Sequence, residues 1–170
     1  MYKREEEMYP HVIFWLKNLL SEKVKRAKIY VYNSSNINLS NLIEKYNYSK
    51  YFSSEYLTYD IKVDVTGIII FEKERKGELA LVECKLKPIS LKDLSQIIGY
   101  SLIVKPFFAI ILSPMGISES LYKLLKIYKR TDILKYDTLK QKSIAVAKWI
   151  PDRKDVDMSC IIPSYHPMLI

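Results

Sequence analysis

Two short apolar runs, separated by a charged turn, stand in the middle of the chain within residues 61–86. Both runs are rich in Ile, Val or Leu, and the turn between them contains Gly77. Short apolar runs bounded by a polar, glycine-containing turn are typical of the two strands of a β-hairpin. We therefore predict an antiparallel pair of strands at this place.

Each predicted strand carries a carboxylate where a buried strand is usually apolar, namely Asp64 in the first and Glu83 in the second. Because side chains alternate between the two faces of a strand, Glu83 and Lys85 share one face with Leu79 and Leu81. Two acids and a lysine that converge on a sheet surface suit a divalent metal ion with a neighbouring cation. The hairpin is thus the first candidate for a functional site.

Further helices and strands are predicted on both sides of the hairpin. The pattern predicts helices over residues 1–20, 41–46, 91–103 and 118–130, and strands over residues 28–33, 105–113 and 143–150. The run at 105–113 is wholly apolar, which favours a central strand. Because a strand, a helix and a strand form a right-handed crossover, this strand should run parallel to the strand that carries Glu83. Together these elements predict one α/β domain over residues 1–170.

The hydrophobic spacing of the helices also predicts which side chains face the core. Expected inward positions are Val12, Ile13, Leu16, Leu19 and Leu20 in the first helix, Leu91, Leu94, Ile98 and Leu102 in the third, and Leu121, Leu124, Leu125 and Tyr128 in the fourth. Pro10 requires that the first helix either kinks or starts close to it. Ser90 is the expected N-cap of the third helix.

Two segments fall outside this regular alternation, an insertion at residues 34–59 and a tail at residues 151–170. The insertion is rich in tyrosine, and Tyr46, Tyr48, Tyr51 and Tyr56 either stack on nucleic-acid bases or pack against their own loop. The tail contains prolines and apolar residues. It either packs back onto the body or forms a dimer interface.

The net charge of +8 favours a polyanionic partner, with nucleic acid first and an acidic membrane surface second. A basic flank on the fourth helix (Lys123, Lys126, Lys129 and Arg130) is either a solvated face or a set of phosphate contacts. No apolar run approaches the length of a membrane span, and the charged N-terminus does not resemble a signal peptide. We therefore expect a soluble, cytoplasmic protein that does not bind membranes.

The order Asp64, then Glu83-Cys84-Lys85 on the next strand, resembles the PD-(D/E)XK nuclease superfamily. On the helix that follows, Gln96 and Tyr100 match the Q-x-x-x-Y element of RecB-type nuclease domains. Helical spacing of four residues places these two side chains next to each other. The resemblance implies a restriction-endonuclease-like core, in which a mixed central β-sheet is flanked by helices.

The N-terminal segment is similar to the first helix of archaeal Holliday-junction-resolvase-like members, in which a glutamate precedes a Tyr-Pro step. Glu5 matches this glutamate best, with Glu6 and Glu7 as rivals. In all, the resemblance covers about residues 5–114. It departs from the family pattern at Val63, which stands in place of the proline before the acid, although many members lack that proline. Asp60 is a rival of Asp64 for the acidic role.

The resemblance implies a nuclease that hydrolyses DNA phosphodiester bonds with Mg²⁺ or Mn²⁺. Asp64, Glu83 and the main-chain carbonyl of Cys84 would hold the metal ion, and Glu5 would be a further acid for the same or a second ion. Lys85 would orient or deprotonate the attacking water, or stabilise negative charge in the transition state. The substrate could be a junction, a flap, a strand end or a duplex.

Two further residues receive a role from the same resemblance. Gln96 would help to position Lys85 or the scissile phosphate, and Tyr100 would support that face of its helix. Members that cut symmetric substrates act as dimers, so we expect a homodimer, to which the apolar tail would contribute.

Two other interpretations remain open. One is a non-catalytic nucleic-acid-binding or scaffold protein that keeps the nuclease fold. The other is a basic α/β domain in which Glu83 and Lys85 form an ordinary salt bridge, because Glu-x-Lys by itself is a common tripeptide.

Overall fold

A mixed six-stranded sheet forms the centre of the computed structural model, which describes residues 2–170. Within these residues the strands are β1 Lys28–Asn33, β2 Val65–Phe71, β3 Lys76–Cys84, β4 Phe108–Ser113, β5 Lys135–Asp137, β6 Lys142–Ser143, β7 Ala145–Ile150 and β8 Asp155–Val156. The α-helices are α1 Tyr9–Lys23, α2 Leu39–Lys45, α3 Leu91–Val104 and α4 Glu119–Tyr122. The predicted α/β architecture, with a mixed sheet flanked by helices, is confirmed.

The strand order in the main sheet is β1-β2-β3-β4-β7-β8, and β5 pairs with β6 in a separate two-stranded sheet. β2 and β3 are antiparallel, which confirms the predicted hairpin, whereas β4 runs parallel to both β3 and β7. Every residue of β4 is buried. The prediction of a central apolar strand parallel to the Glu83 strand is therefore correct.

The two faces of the sheet carry two separate cores. Leu79 and Leu81 of β3 belong to one core, which α2 and α3 help to cover, and Ala80 and Val82 belong to the other, which α1 covers. This is the alternation that the sequence predicts for β3. Because Glu83 and Lys85 continue the first set, the pleat carries them to the α3 side of the sheet.

The first helix begins at Tyr9, with Pro10 in its first turn, and a short 3-10 turn at Glu5–Glu7 precedes it. Proline is tolerated there because the first-turn amides have no partner within the helix. Val12, Leu16 and Leu20 are fully buried, as predicted. The helix runs to Lys23 rather than to residue 20, and Met1, where the predicted helix starts, lies outside the described residues.

The predicted inward face of α3 is wrong in part. Its buried side chains are Leu94, Ile97, Ser101 and Val104, whereas Leu91 and Leu102 are exposed. Apolar residues occur on more than one side of this helix, so periodicity does not select a face. The short connection from β3 and the Ser90 cap with its reciprocal Asp93 bond decide how the helix is rotated.

The last predicted helix is also different from the expectation. α4 ends at Tyr122 and continues as a wider π-helical turn over Lys123–Ile127, in which the amide of Tyr128 donates to the Lys123 carbonyl at 2.9 Å. A π-turn changes the angular step per residue. Tyr128, which was expected to face inward, is therefore 71% exposed, while Leu121 and Leu125 are buried as predicted.

The insertion and the tail both pack against the body of the protein. In the insertion, Leu39, Leu42 and Ile43 of α2 are buried in the core on the α3 side of the sheet. In the tail, Ile162 pairs with Val146 of β7, and Leu169 is buried against the opposite core. Of the two predictions for the tail, packing back onto the body is therefore the one that the structure shows for these residues.

No helix among residues 2–170 combines the length and the apolar character that crossing a membrane requires.

Gly67 of β2 should be intolerant of a side chain, because α1 crosses the sheet directly above it. A Cβ there would lie 2.9 Å from Leu20 Cδ1 and 3.1 Å from Ala80 Cβ, and both neighbours are fully buried. We expect Gly67→Ala to lower the free energy of unfolding by about 1–3 kcal/mol through overpacking. Urea unfolding at equilibrium measures this change.

Gly99→Ala is the matched control, because no heavy atom lies within 4 Å of a Cβ at this position of α3. Alanine in a helix interior should raise the free energy of unfolding by about 0.5–1 kcal/mol. If Gly67→Ala were as stable as the unchanged protein, the close packing of α1 on β2 would be wrong.

Candidate functional site

Asp64 connects three separate parts of the chain at one end of the sheet. Its Oδ2 accepts a hydrogen bond from the Cys84 amide and its Oδ1 accepts one from the Tyr9 hydroxyl, each at 2.8 Å. The sequence suggested that Asp64 lies within the first strand of the hairpin. In the structure it precedes β2 by one residue. The reason is that its carboxylate, rather than its main chain, bonds to the Cys84 amide.

Glu83 and Lys85 form an ion pair next to this carboxylate. Lys85 Nζ lies 2.8 Å from Glu83 Oε1, as expected for side chains two residues apart on one face of an extended chain. Glu83 is only 4% exposed. A carboxylate so deeply buried requires a charged or hydrogen-bonding partner, and Lys85 provides it.

The pKa of Glu83 is raised to about 7, first by burial and then by the charge of Asp64, while the hydrogen bond and the charge of Lys85 act in the opposite direction. For Lys85, burial favours the neutral form, but its hydrogen bond to Glu83 and the surrounding negative charges are stronger, so that its pKa is raised. Lys85 therefore keeps its positive charge at neutral pH, while Glu83 changes its protonation in that range.

Glu5 belongs to the same electrostatic group. Burial is the main cause that raises the pKa of Glu5, the positive charge of Lys85 lowers it, and the negative charge of Asp64 raises it. Glu5 also acts on the pKa of Glu83. The 3-10 turn before α1 thus brings a third carboxylate towards Asp64 and Glu83, although it comes from a distant part of the sequence.

The rival acids lie in other surroundings. Glu7 accepts a hydrogen bond from the Lys3 amide at 2.9 Å, and Glu6 is exposed. Asp60 is exposed and accepts a hydrogen bond from the Asn38 side chain. Of the candidates that the sequence left open, Glu5 and Asp64 are the two that face the Glu83–Lys85 pair.

Gln96 and Tyr100 lie next to each other on α3, with Gln96 Nε2 at 3.2 Å from the Tyr100 hydroxyl. Within residues 2–170 no hydrogen bond joins either of them to Asp64, Glu83 or Lys85. The predicted helical pairing is confirmed, but Gln96 forms no hydrogen bond with Lys85. Its predicted role stays a prediction.

Two residues near the site were not singled out from the sequence. Tyr9, the hydroxyl donor to Asp64, has a raised pKa, first because it is buried and then because it bonds to Asp64. Asp93 is held by the Ser90 cap, and Lys85 contributes to lowering its pKa. The Ser-x-x-Asp spacing of the cap is readable in a sequence, whereas the Tyr9–Asp64 contact spans 55 residues and leaves no local signal.

The described residues contain no group of three His, Cys, Asp or Glu side chains placed to hold a metal ion. Glu5, Asp64 and Glu83 interact through their charges without forming such a group. The main chain adds one oxygen here. Because the amide and the carbonyl of a strand residue point to the same side, the Cys84 carbonyl lies on the side of Asp64.

A comparison of the chain with models of protein families, with curated proteins and with solved structures finds no match. No family is thereby shown. What this site does has to follow from its own geometry and chemistry.

Replacing Glu83 should change how stability depends on pH. Between its ordinary pKa of 4.5 and about 7, the folded protein binds more protons at Glu83 than the unfolded chain does. The free energy of unfolding therefore falls as the pH rises through this range. The glutamine in Glu83→Gln does not ionise. This variant should therefore lack the decrease in the free energy of unfolding that Glu83 causes, which is on the order of 2 kcal/mol.

Urea unfolding of both proteins at about pH 5 and about pH 8, in the presence of EDTA, measures this difference. The free energy of unfolding of the unchanged protein minus that of Glu83→Gln should be larger at about pH 5 than at about pH 8. An equal difference at both values would mean that burial and the Asp64 charge do not shift the pKa of Glu83.

Proposed function

We propose that this chain is a metal-dependent nuclease that hydrolyses DNA phosphodiester bonds on a restriction-endonuclease-like core. One observation carries the proposal. The Asp64 carboxylate is bonded to the main chain of Cys84, directly between Glu83 and Lys85, so that two acids and a cation meet at the end of β3. The hairpin that carries them, followed by a crossover to the parallel strand β4, agrees with such a core.

The donor atoms suit Mg²⁺ or Mn²⁺. Carboxylate and carbonyl oxygens are hard ligands, and Mg²⁺ is usually bound through one or two carboxylates together with water and substrate phosphate, so a group of three acidic side chains is not required. Asp64, Glu83 and the Cys84 carbonyl would hold the ion. Each Asp64 oxygen accepts one protein hydrogen bond and has a further lone pair. When bound, such an ion activates a water molecule and offsets negative charge on the phosphate.

Lys85 acts as a cation in this proposal. Its raised pKa keeps the ammonium group protonated at neutral pH, so it does not serve as the base that deprotonates water. It holds Glu83 in place through the 2.8 Å ion pair. Its remaining protons can be donated to a phosphate oxygen, on which negative charge increases during hydrolysis.

Tyr9 is a positioning residue for Asp64. Its hydroxyl occupies Oδ1 and fixes the direction of the carboxylate, while the Cys84 amide fixes Oδ2. Glu5, on the same side of the sheet end, is a further acid within reach of a second ion or of water. Gln96 would help to position the scissile phosphate, and Tyr100 would support that face of α3. For this, the substrate would have to approach α3.

DNA is the proposed partner. The basic flank that follows α4 is partly neutralised, since Lys123 pairs with Glu119 and Arg130 pairs with Asp132. Lys126 and Lys129 of the flank are exposed and remain candidates for phosphate contacts. A homodimer stays a prediction. In the tail, Ile161, Ile162 and Leu169 are buried within the chain, whereas Met158, Tyr165 and Ile170 are exposed.

A second function keeps the fold and the partner but not the chemistry, namely that of a non-catalytic nucleic-acid-binding protein. One observation favours it: Gln96 bonds to Tyr100 rather than to Lys85. In that case the Glu83–Lys85 pair would only stabilise the end of β3.

Removal of Glu83 separates the two functions. We expect Glu83→Ala to lower the rate of DNA cleavage by about 100-fold or more, because a metal ligand and the partner of Lys85 are lost together. End-labelled duplex, single strand, flap and four-way junction would be incubated with Mg²⁺, Mn²⁺ or EDTA. Cutting should require the divalent ion.

The matched control is Glu78→Ala. Glu78 lies on the same strand and is ion-paired with a lysine two residues away, Lys76, but at the opposite end of β3. It should cut as fast as the unchanged protein. Cutting that survives in folded Glu83→Ala would contradict the site, and binding of DNA without any cutting would favour the second function.

A further inference from the structure

A cluster of four tyrosines lies on the free edge of the sheet. Tyr30 and Tyr32 are two residues apart on β1 and share one face, and Tyr46 and Tyr48, which follow α2, fold over them. The rings of Tyr32 and Tyr46 are stacked, with centroids 4.2 Å apart and planes 21° apart, and those of Tyr30 and Tyr48 are 5.3 Å apart. We call these four residues the tyrosine platform.

The platform has a fixed inner pair and an open outer pair. The hydroxyls of Tyr32 and Tyr48 are 2.7 Å apart, and burial raises the pKa of both. Tyr30 and Tyr46, by contrast, are 37% and 39% exposed. Packing against their own loop accounts for the inner pair. It does not account for two large aromatic rings that are held in position and keep more than a third of their surface exposed.

Positive charge accompanies the open rings. Lys45 Nζ lies 5.5 Å from the ring centre of Tyr46, and Lys50 Nζ lies 5.1 Å from that of the neighbouring Tyr51. Neither lysine forms an ion pair with the described residues. Aromatic faces next to uncompensated lysines are the combination that binds single strands, since bases stack on the rings and phosphates meet the charges.

The platform lies on the same face of the sheet as Glu83 and near the same end. Tyr32 is opposite Thr66 of β2, and Thr66 is opposite Leu81 of β3, two residues before Glu83. Two strand spacings and two residue steps separate Tyr32 from Glu83, a distance of about 12 Å between main chains. The platform and the acids are therefore close together, although Thr66 and Leu81 between them are buried, so that a bound strand has to pass around this covered part of the sheet.

We propose that the tyrosine platform binds the unpaired bases of a single-stranded DNA segment next to the Glu83 site. The inference rests on the proposed nuclease function for its substrate and makes it more specific, because a paired duplex keeps its bases stacked on one another and unavailable to the rings. The preferred substrate would then contain a single-stranded part, such as a flap or a strand end.

The first experiment measures DNA binding in EDTA, so that cleavage does not interfere. A fluorescent oligothymidine and a hairpin duplex would be titrated with the full chain and with the double variant Tyr30→Leu, Tyr46→Leu, which keeps apolar bulk and removes the aromatic faces. We expect the affinity for the single strand to fall by about 5- to 150-fold for each stacked base that is lost. The affinity for the duplex should stay the same.

Two further variants make the comparison specific. Tyr30→Phe, Tyr46→Phe keeps the aromatic faces and should bind as the unchanged protein does. Tyr165→Leu removes an exposed tyrosine of the tail that lies outside both the platform and the basic flank, and it should have no effect. Equal single-strand affinity of the leucine variant and the unchanged protein, or an equal loss of single-strand and duplex affinity, would overturn the proposal.

A second measurement uses the unchanged protein and does not depend on the folding of a variant. An oligonucleotide that contains 5-iodouracil would be crosslinked by ultraviolet light, and the modified peptides would be identified by mass spectrometry. Crosslinks at Tyr30 or Tyr46 are expected, and crosslinks exclusively elsewhere would overturn the platform.

The outcomes for the platform and for the nuclease are distinguishable. If the leucine variant loses single-strand binding but the unchanged protein never cuts with Mg²⁺ or Mn²⁺, the platform stands and the nuclease fails. If cutting depends on Glu83 while the leucine variant binds single strands normally, the nuclease stands and the platform fails.

Discussion

The carboxylate of Asp64 is the contact on which the site depends. Its two oxygens bond to the main chain of β3 and to the Tyr9 hydroxyl at the start of α1. Hydrogen bonds to a charged acceptor are stronger than those between neutral groups. One side chain therefore holds the first helix, the approach to β2 and the end of β3 at a common point, and it determines where Glu5 and Glu83 lie relative to each other.

This arrangement concentrates negative charge in a place with little water. Burial and the neighbouring Asp64 both disfavour ionisation of Glu83, and Lys85 offsets only part of this effect. Such opposition between burial and charge is common at functional sites, because a site that must bind a cation or a phosphate cannot also be optimal for stability. The nuclease that we propose would use this opposition between burial and charge.

Much of the fold could be predicted because the signals are local. The hairpin, the buried strand β4 and the division of β3 into two faces follow from the alternation of side chains along a strand. The face of α3 could not be predicted in the same way, since this helix carries apolar residues on several sides. Tyr128 was misplaced for a related reason, because a π-turn leaves no reliable trace in hydrophobic spacing.

The sequence by itself determined that Glu83 and Lys85 share a face and that Gln96 lies beside Tyr100, because each statement depends only on the geometry of one strand or helix. The tertiary structure alone decided that Glu5 rather than Glu7 faces the acids, that Tyr9 holds Asp64, and that the tyrosines of the insertion meet those of β1. These contacts join residues far apart in the chain. They depend on how complete elements pack against one another, and no local periodicity encodes that.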